Sequence, residues 1–133
     1  MPFGNKEILV SRYSDAYSYL TDIEPDKIKE LGAQVTDEIF QRTGITPPTD
    51  PKAAPAMLRG IWCDKIYYKL IPYQKGLSDE EKARRRDIAD KADDLINKIA
   101  DGKIIIKDAS GTAVVTGTAP ISIVATKRIT GVL

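Results

Sequence analysis

The sequence predicts a mainly α protein: a small helical bundle of three to four helices followed by a C-terminal β-rich arm or ribbon. Three observations predict it. Apolar residues recur at spacings of three and four through the first hundred positions, and prolines, glycines and a Ser-x-x-Glu box stand where helices start and stop. After Gly102 short β-branched runs replace the helical pattern. A helical domain over residues 1–107 and an arm over residues 108–133 follow from that change of pattern.

The first segment, Ile8 to Asp22, places Tyr13, Tyr17 and Leu20 at spacings of four and three, which predicts a short helix. Glu24-Pro25-Asp26 then opens a longer one, with proline where the first turn needs no donor and acids facing the positive end of the helix dipole. Ile28, Leu31, Val35 and Ile39 form its stripe, and Gly44 supplies a left-handed cap, giving a helix over about residues 25 to 43. Residues 44 to 55 contain four prolines, Pro47, Pro48, Pro51 and Pro55, and read as a stiff extended connector.

Pro55 opens the next helix, whose apolar face is broad: Met57, Leu58, Ile61, Trp62, Ile66, Leu70 and Ile71, with Tyr67 and Tyr68 beside them. A face this wide implies contact on more than one side, and Pro72 ends the helix. Ser78 and Glu81 make a capping box for the last helix, in which Ile88, Ala92, Leu95 and Ile99 form a narrow stripe up to Gly102. Lys103 to Lys107, Ala113 to Thr116 and Ile121 to Ala125 are strand candidates separated by Gly-containing turns. A lone ribbon of this kind is marginal in water and needs a surface to lie on, its own helices or a neighbouring subunit.

Composition narrows the chemistry. The net charge is +1 with 29% charged residues, a balanced surface that does not bind polyanions by bulk charge. No histidine is present, which removes the commonest general base and transition-metal ligand, and the single cysteine, Cys63, cannot form an internal disulfide or a zinc site. No apolar run approaches the roughly 20 residues that span a bilayer. The N-terminus has Asn5, Lys6 and Glu7 where a signal peptide needs an apolar centre. A soluble, unprocessed protein in a reducing cytoplasm, with no cofactor, is the expectation.

Candidate sites are few. Asp90, Asp93, Asp94 and Asp101 scatter around one helix and make a poor metal cluster. Cys63 sits among Ile61, Trp62 and Ile66 without a histidine to activate it and reads as a small core residue. Gly102-Lys103 and Gly111-Thr112 lack the Gly-x-x-x-x-Gly-Lys pattern and read as caps and turns. Arg84, Arg85 and Arg86 point about 100° apart around a helix, among Asp79, Glu80, Glu81 and Asp87, which favours ion pairs within or between subunits over DNA contact. Trp62, Tyr67, Tyr68 and Tyr73 are candidates either for ordinary core packing or, with the three arginines, for a subunit interface, because these residue types dominate binding energies.

The helix opened by Pro55, with Leu58, Ile61, Cys63-Asp64, Tyr68 and Leu70, is followed by Glu80-Glu81 and by a helix bearing Ala89, Ala92, Leu95, Ile99, Ala100 and Gly102-Lys103-Ile104. Together with the upstream stripe from Ile28 to Ile39 and the Thr46-Pro47-Pro48 connector, this order resembles the head-tail connector adaptor proteins of tailed bacteriophages, over about residues 8 to 107. The resemblance implies a structural, non-enzymatic subunit in the virion neck, assembled in the host bacterial cytoplasm. It implies a ring, typically of twelve copies, beneath the portal protein. Such a ring extends the DNA channel, lets packaged DNA pass without sequence-specific binding, docks the stopper or tail-completion protein, and involves no membrane. Ile104, Ile105, Ile106, Val114, Val115, Ile121, Ile123 and Val124 are then the expected arm residues gripping the portal or a neighbour. The competing expectation is a small helical nucleic-acid-binding regulator that uses Arg84 to Arg86.

Overall fold

Four helices pack around one core in the computed structural model, which describes residues 3–14, 25–74 and 76–107. They are α1 (Lys6–Arg12), α2 (Pro25–Thr43), α3 (Ala56–Lys69) and α4 (Asp79–Ala100), with single 3₁₀ turns at Pro51–Ala53 and Ile71–Tyr73. No strand occurs among the described residues. The expected helical bundle is present, and the expected β-rich arm, with Val114, Val115, Ile121, Ile123 and Val124, lies outside the described residues.

Local chemistry sets most of the boundaries. Asn5 accepts a hydrogen bond from the Ile8 backbone and starts α1 earlier than the apolar spacing suggested. The same helix ends at Arg12, because Tyr13 leaves helical geometry to bond with Asp64 and stack on Tyr67. Tyr17 and Leu20, which extended that helix in the sequence reading, lie outside the described residues. Helix α2 has the expected span, and Gly44 follows it at φ 74°, the left-handed conformation glycine adopts without strain.

Helix α3 starts directly after Pro55 and ends at Lys69, before Pro72, whose ring fits the 3₁₀ turn that follows. Ser78 Oγ caps α4 by accepting from the Glu81 backbone at 3.1 Å. The reciprocal half of the expected capping box is absent, because the Glu81 carboxylate turns to Arg84 and Arg85. Two guanidinium groups give the carboxylate three bonds between ionised partners, Arg84 gripping both its oxygens, where the cap offers one backbone N–H.

The buried stripe of α4 also differs from its expected centre. Ala89, Ala92, Ile96 and Ile99 face the core, whereas Ile88 and Leu95 are only partly buried at its edges. Alanines at the central contacts let the helix axes approach, so the stripe centres on them rather than on the largest side chains.

Side-chain contacts fix the helix directions. Tyr67, near the end of α3, meets Glu81 near the start of α4, while Lys65, earlier in α3, reaches Asp93. The two helices are therefore antiparallel. Arg42, at the end of α2, bonds Asp93 and Asn97, so α2 runs in the same sense as α4. Leu9, Val35, Ile39, Leu58, Ile66 and Ile96 meet in the middle, each fully buried. Burying one such side chain stabilises by about 1.5–3 kcal/mol, against about 1 kcal/mol for a cap, so packing and not capping holds the bundle together.

Of Lys103 to Lys107, expected as the first strand, residues 103–106 form an irregular turn and Lys107 makes an isolated β-bridge; Ile106 is 3% exposed while Ile105 is 69% exposed. Gly102, at φ 77°, makes that turn after α4. No helix among the described residues is long and apolar enough to cross a membrane.

Candidate functional site

The residues expected at an interface divide into two groups. Trp62, Tyr67 and Arg85 are 2%, 0% and 1% exposed inside the chain, so of the two expected alternatives, core packing and a subunit interface, these three take core packing. Their burial has a local cause. Trp62 donates its indole N–H to the Gly32 carbonyl at 3.2 Å and packs against the backbone at Gly4, where a Cβ would lie 2.3 Å from the ring. Glycine at both approaches is what admits the indole.

Tyr67 is the centre of a layered stack. Tyr13 lies parallel to its ring at 4.0 Å, and the Arg85 guanidinium lies 4.0 Å from its centroid. Arg85 also bonds Glu81 at 3.0 Å and the Gln74 side chain at 2.9 Å, which compensates the burial of its charge. Asp64 receives Tyr13 and Arg12, tying α1 to α3. Burial, together with the bond to the Asp64 carboxylate, raises the Tyr13 hydroxyl well above the usual phenol range. The stack is a fastener between α1, α3 and α4.

Sequence reasoning missed a second fastener. Lys65, on the apolar face of α3, is buried between Glu38 of α2 and Asp93 of α4, and Arg42 bonds the same two carboxylates. A lysine in the middle of a buried stripe is the signal that pointed to it. Asp93, one of the four acids scattered around the last helix, thus pairs with cations of two other helices while its side chain stays 39% exposed.

The remaining expected residues stay at the surface, and three of them converge. Tyr68, Tyr73 and Arg86 line one open groove of about 760 Å³, with Leu31, Ile71 and Pro72 supplying apolar floor. The 3₁₀ turn at Ile71–Tyr73 redirects the chain after α3 and leaves Tyr73 42% exposed, with the Lys27 ammonium 5.7 Å from its ring centroid. Lys69, Lys82 and Arg86 stand around this floor together with Asp79, Asp87 and Asp90. Arg84 is held by Glu81 and Tyr67, so the three consecutive arginines diverge into a core, a flank and a groove.

The arm candidates that are described diverge too. Ile106 belongs to the core, Ile104 packs partly against it, and Ile105 projects outward.

Among the described residues no three acidic or cysteine side chains converge as a cation site. Cys63 is buried, and its enclosure, modulated by Arg12 and Asp64 nearby, pushes its thiol up to about 12. A thiol held protonated at neutral pH is a poor nucleophile. What the surface offers is shape: an aromatic, mixed-charge groove at one end of a helical bundle. Comparison of the chain with known protein families, with curated proteins and with solved structures finds no match.

Proposed function

We propose that this chain is a structural subunit of a phage head-tail connector, forming a ring under the portal that extends the DNA channel and docks the stopper or tail. The reading rests on the order of motifs from Ile28 to Ile104 that resembles connector adaptors. The observation that carries it furthest is the convergence of Tyr68, Tyr73 and Arg86 on one exposed groove, since tyrosine and arginine dominate the energetics of protein contacts. Asp64, Glu38, Lys65, Asp93 and Arg85 are engaged in holding helices together, which suits a subunit whose task is shape.

A connector subunit is expected to assemble. Electron microscopy of the concentrated protein, alone and mixed with portal rings, is expected to show closed rings with a central channel, seated coaxially on the portal. Particles that stay monomeric in the presence of portal overturn the reading. Association that needs the portal as a template is consistent with it, because a partner that binds only the assembled state shifts the equilibrium by mass action.

Removing residues 108–133 is expected to leave the helical bundle folded, since Ile106 is retained, and to weaken ring formation. A nucleic-acid-binding regulator would instead show duplex affinity that falls steeply with salt, and Arg84 and Arg85 are already committed to Glu81 and Tyr67.

A further inference from the structure

Helix α1 lies along one stripe of α3. A Cβ at Gly60 would stand 3.4 Å from the Arg12 guanidinium carbon, Arg12 and Tyr13 both bond Asp64, and Tyr13 stacks on Tyr67. Positions 60, 64 and 67 follow each other at spacings of four and three, and Cys63 shares their face, three after Gly60 and four before Tyr67. Its side chain is fully buried, with the Arg12 guanidinium among the charges near it. The cover over Cys63 on this side is α1.

That cover is suited to leave as a unit. Seven residues are too few to hold a helix in water, so α1 is helical only while docked. Its fully buried anchors are Phe3, just ahead of it, and Leu9. Among the described residues its polar fastening converges on one carboxylate. Arg12 Nε and Nη2 lie 2.8 and 3.3 Å from the two Asp64 oxygens, and the Tyr13 hydroxyl donates to the same group. The Phe3 amide adds a long bond, 3.4 Å, to the Thr36 hydroxyl of α2.

The other three helices have fasteners of their own. Lys65 with Glu38 and Asp93, and Arg42 with Asp93, join α2, α3 and α4 through no residue of α1. Val35, Ile39, Leu58, Ile66 and Ile96 supply the same helices with fully buried apolar groups. Undocking α1 exposes a small part of this core and global unfolding exposes all of it, so undocking is the less costly opening.

We propose that α1 is a strap that undocks from α3 while α2, α3 and α4 stay folded, with Asp64 as its clasp and Cys63 uncovered when it lifts. Lifting the strap also bares the Tyr67 face on which Tyr13 stacks and the part of the Trp62 ring that meets Gly4. The aromatic surface that the chain presents then depends on where α1 is. This device goes beyond the connector reading and does not rest on it.

The test is labelling of Cys63 in the full chain by excess aromatic disulfide reagent at rising urea, with global unfolding followed in parallel by circular dichroism. Without urea, labelling is expected to run about tenfold or more faster than the global equilibrium allows, yet far below the rate of the denatured chain. Its dependence on urea is expected to be less than about half as steep as that of global unfolding, because less surface is exposed. Arg12→Ala opens the clasp and is expected to speed labelling about fivefold, the equivalent of one ion pair. Ile99→Val, in α4, is expected to lower the urea midpoint and leave labelling without urea unchanged. Arg42→Ala, which removes bonds between α2 and α4, is a second variant of this kind.

Labelling that follows global unfolding in its steep urea dependence, and that Ile99→Val speeds as much as it destabilises the fold, overturns the proposal. So does a fast labelling rate that Arg12→Ala leaves unchanged, since α1 is then not the cover. Labelling of the native chain at the denatured rate overturns it too.

Discussion

The Arg85 guanidinium lies 4.0 Å from the centroid of the Tyr67 ring, and both side chains are buried. Tyr13 stacks parallel on that ring, so the residue that follows α1, one from α3 and one from α4 form a single stack. Lys65, between Glu38 and Asp93, joins α2, α3 and α4 in the same way.

Arg85→Ala is expected to destabilise the fold by about 3–4 kcal/mol, because it removes a buried charge from its partners and opens a cavity beneath Tyr67. Arg85→Met, which keeps the stem, is expected to cost clearly less. Urea denaturation midpoints of the two variants check the order.

Gly4→Ala forces a methyl against Trp62, at 2.3 Å from a ring carbon, and is expected to cost about 1–3 kcal/mol through overpacking. The chain has one tryptophan, so its fluorescence reports the site directly. A red shift marks displacement of α1 from the indole. Emission unchanged from the parent, with unchanged stability, would contradict the packing described.

Bonds from Arg84, opposed by partial burial and reinforced by Arg85, hold the Glu81 carboxyl down to about 2 from its ordinary 4.5. Burial pushes Asp93 up, but bonds from Lys65 and Arg42 outweigh it and hold its carboxyl below the usual range. Both groups take up protons more readily when unfolded. The stability they contribute is therefore present above pH 4.5 and is lost as the pH falls toward 2. Chemical denaturation at several pH values is expected to show this fall, and Glu81→Gln is expected to flatten it.

The Cys63 thiol is enclosed and held protonated at neutral pH. Native protein is expected to react with an aromatic disulfide reagent only as fast as it opens, and denatured protein to release one equivalent at once. Rapid stoichiometric reaction of the native protein would overturn the placement of Cys63.

Much of the bundle was legible in the chain. Pro25 and Gly44 bracket α2, and Pro55 and Ser78 sit immediately before α3 and α4, because these residues act on their own few peptide groups. The misplacements have distant causes. Tyr13 ends α1 early for a partner more than fifty residues away, and Ile106 leaves the expected strand to reach the core. Neither partner is visible to a reading of neighbours.

The candidate interface shows the same boundary. Its residue types were evident, but Trp62, Tyr67 and Arg85 were indistinguishable from Tyr68, Tyr73 and Arg86 until the helices were packed. By itself the sequence determined where α2, α3 and α4 start and stop, since capping, proline geometry and apolar period act over a few residues. Only the tertiary structure decided which aromatic and which arginine faces outward, because burial depends on the helix brought alongside. Glycine at positions 4 and 32 drew the indole inward, and the 3₁₀ turn after α3 left Tyr73 at the rim.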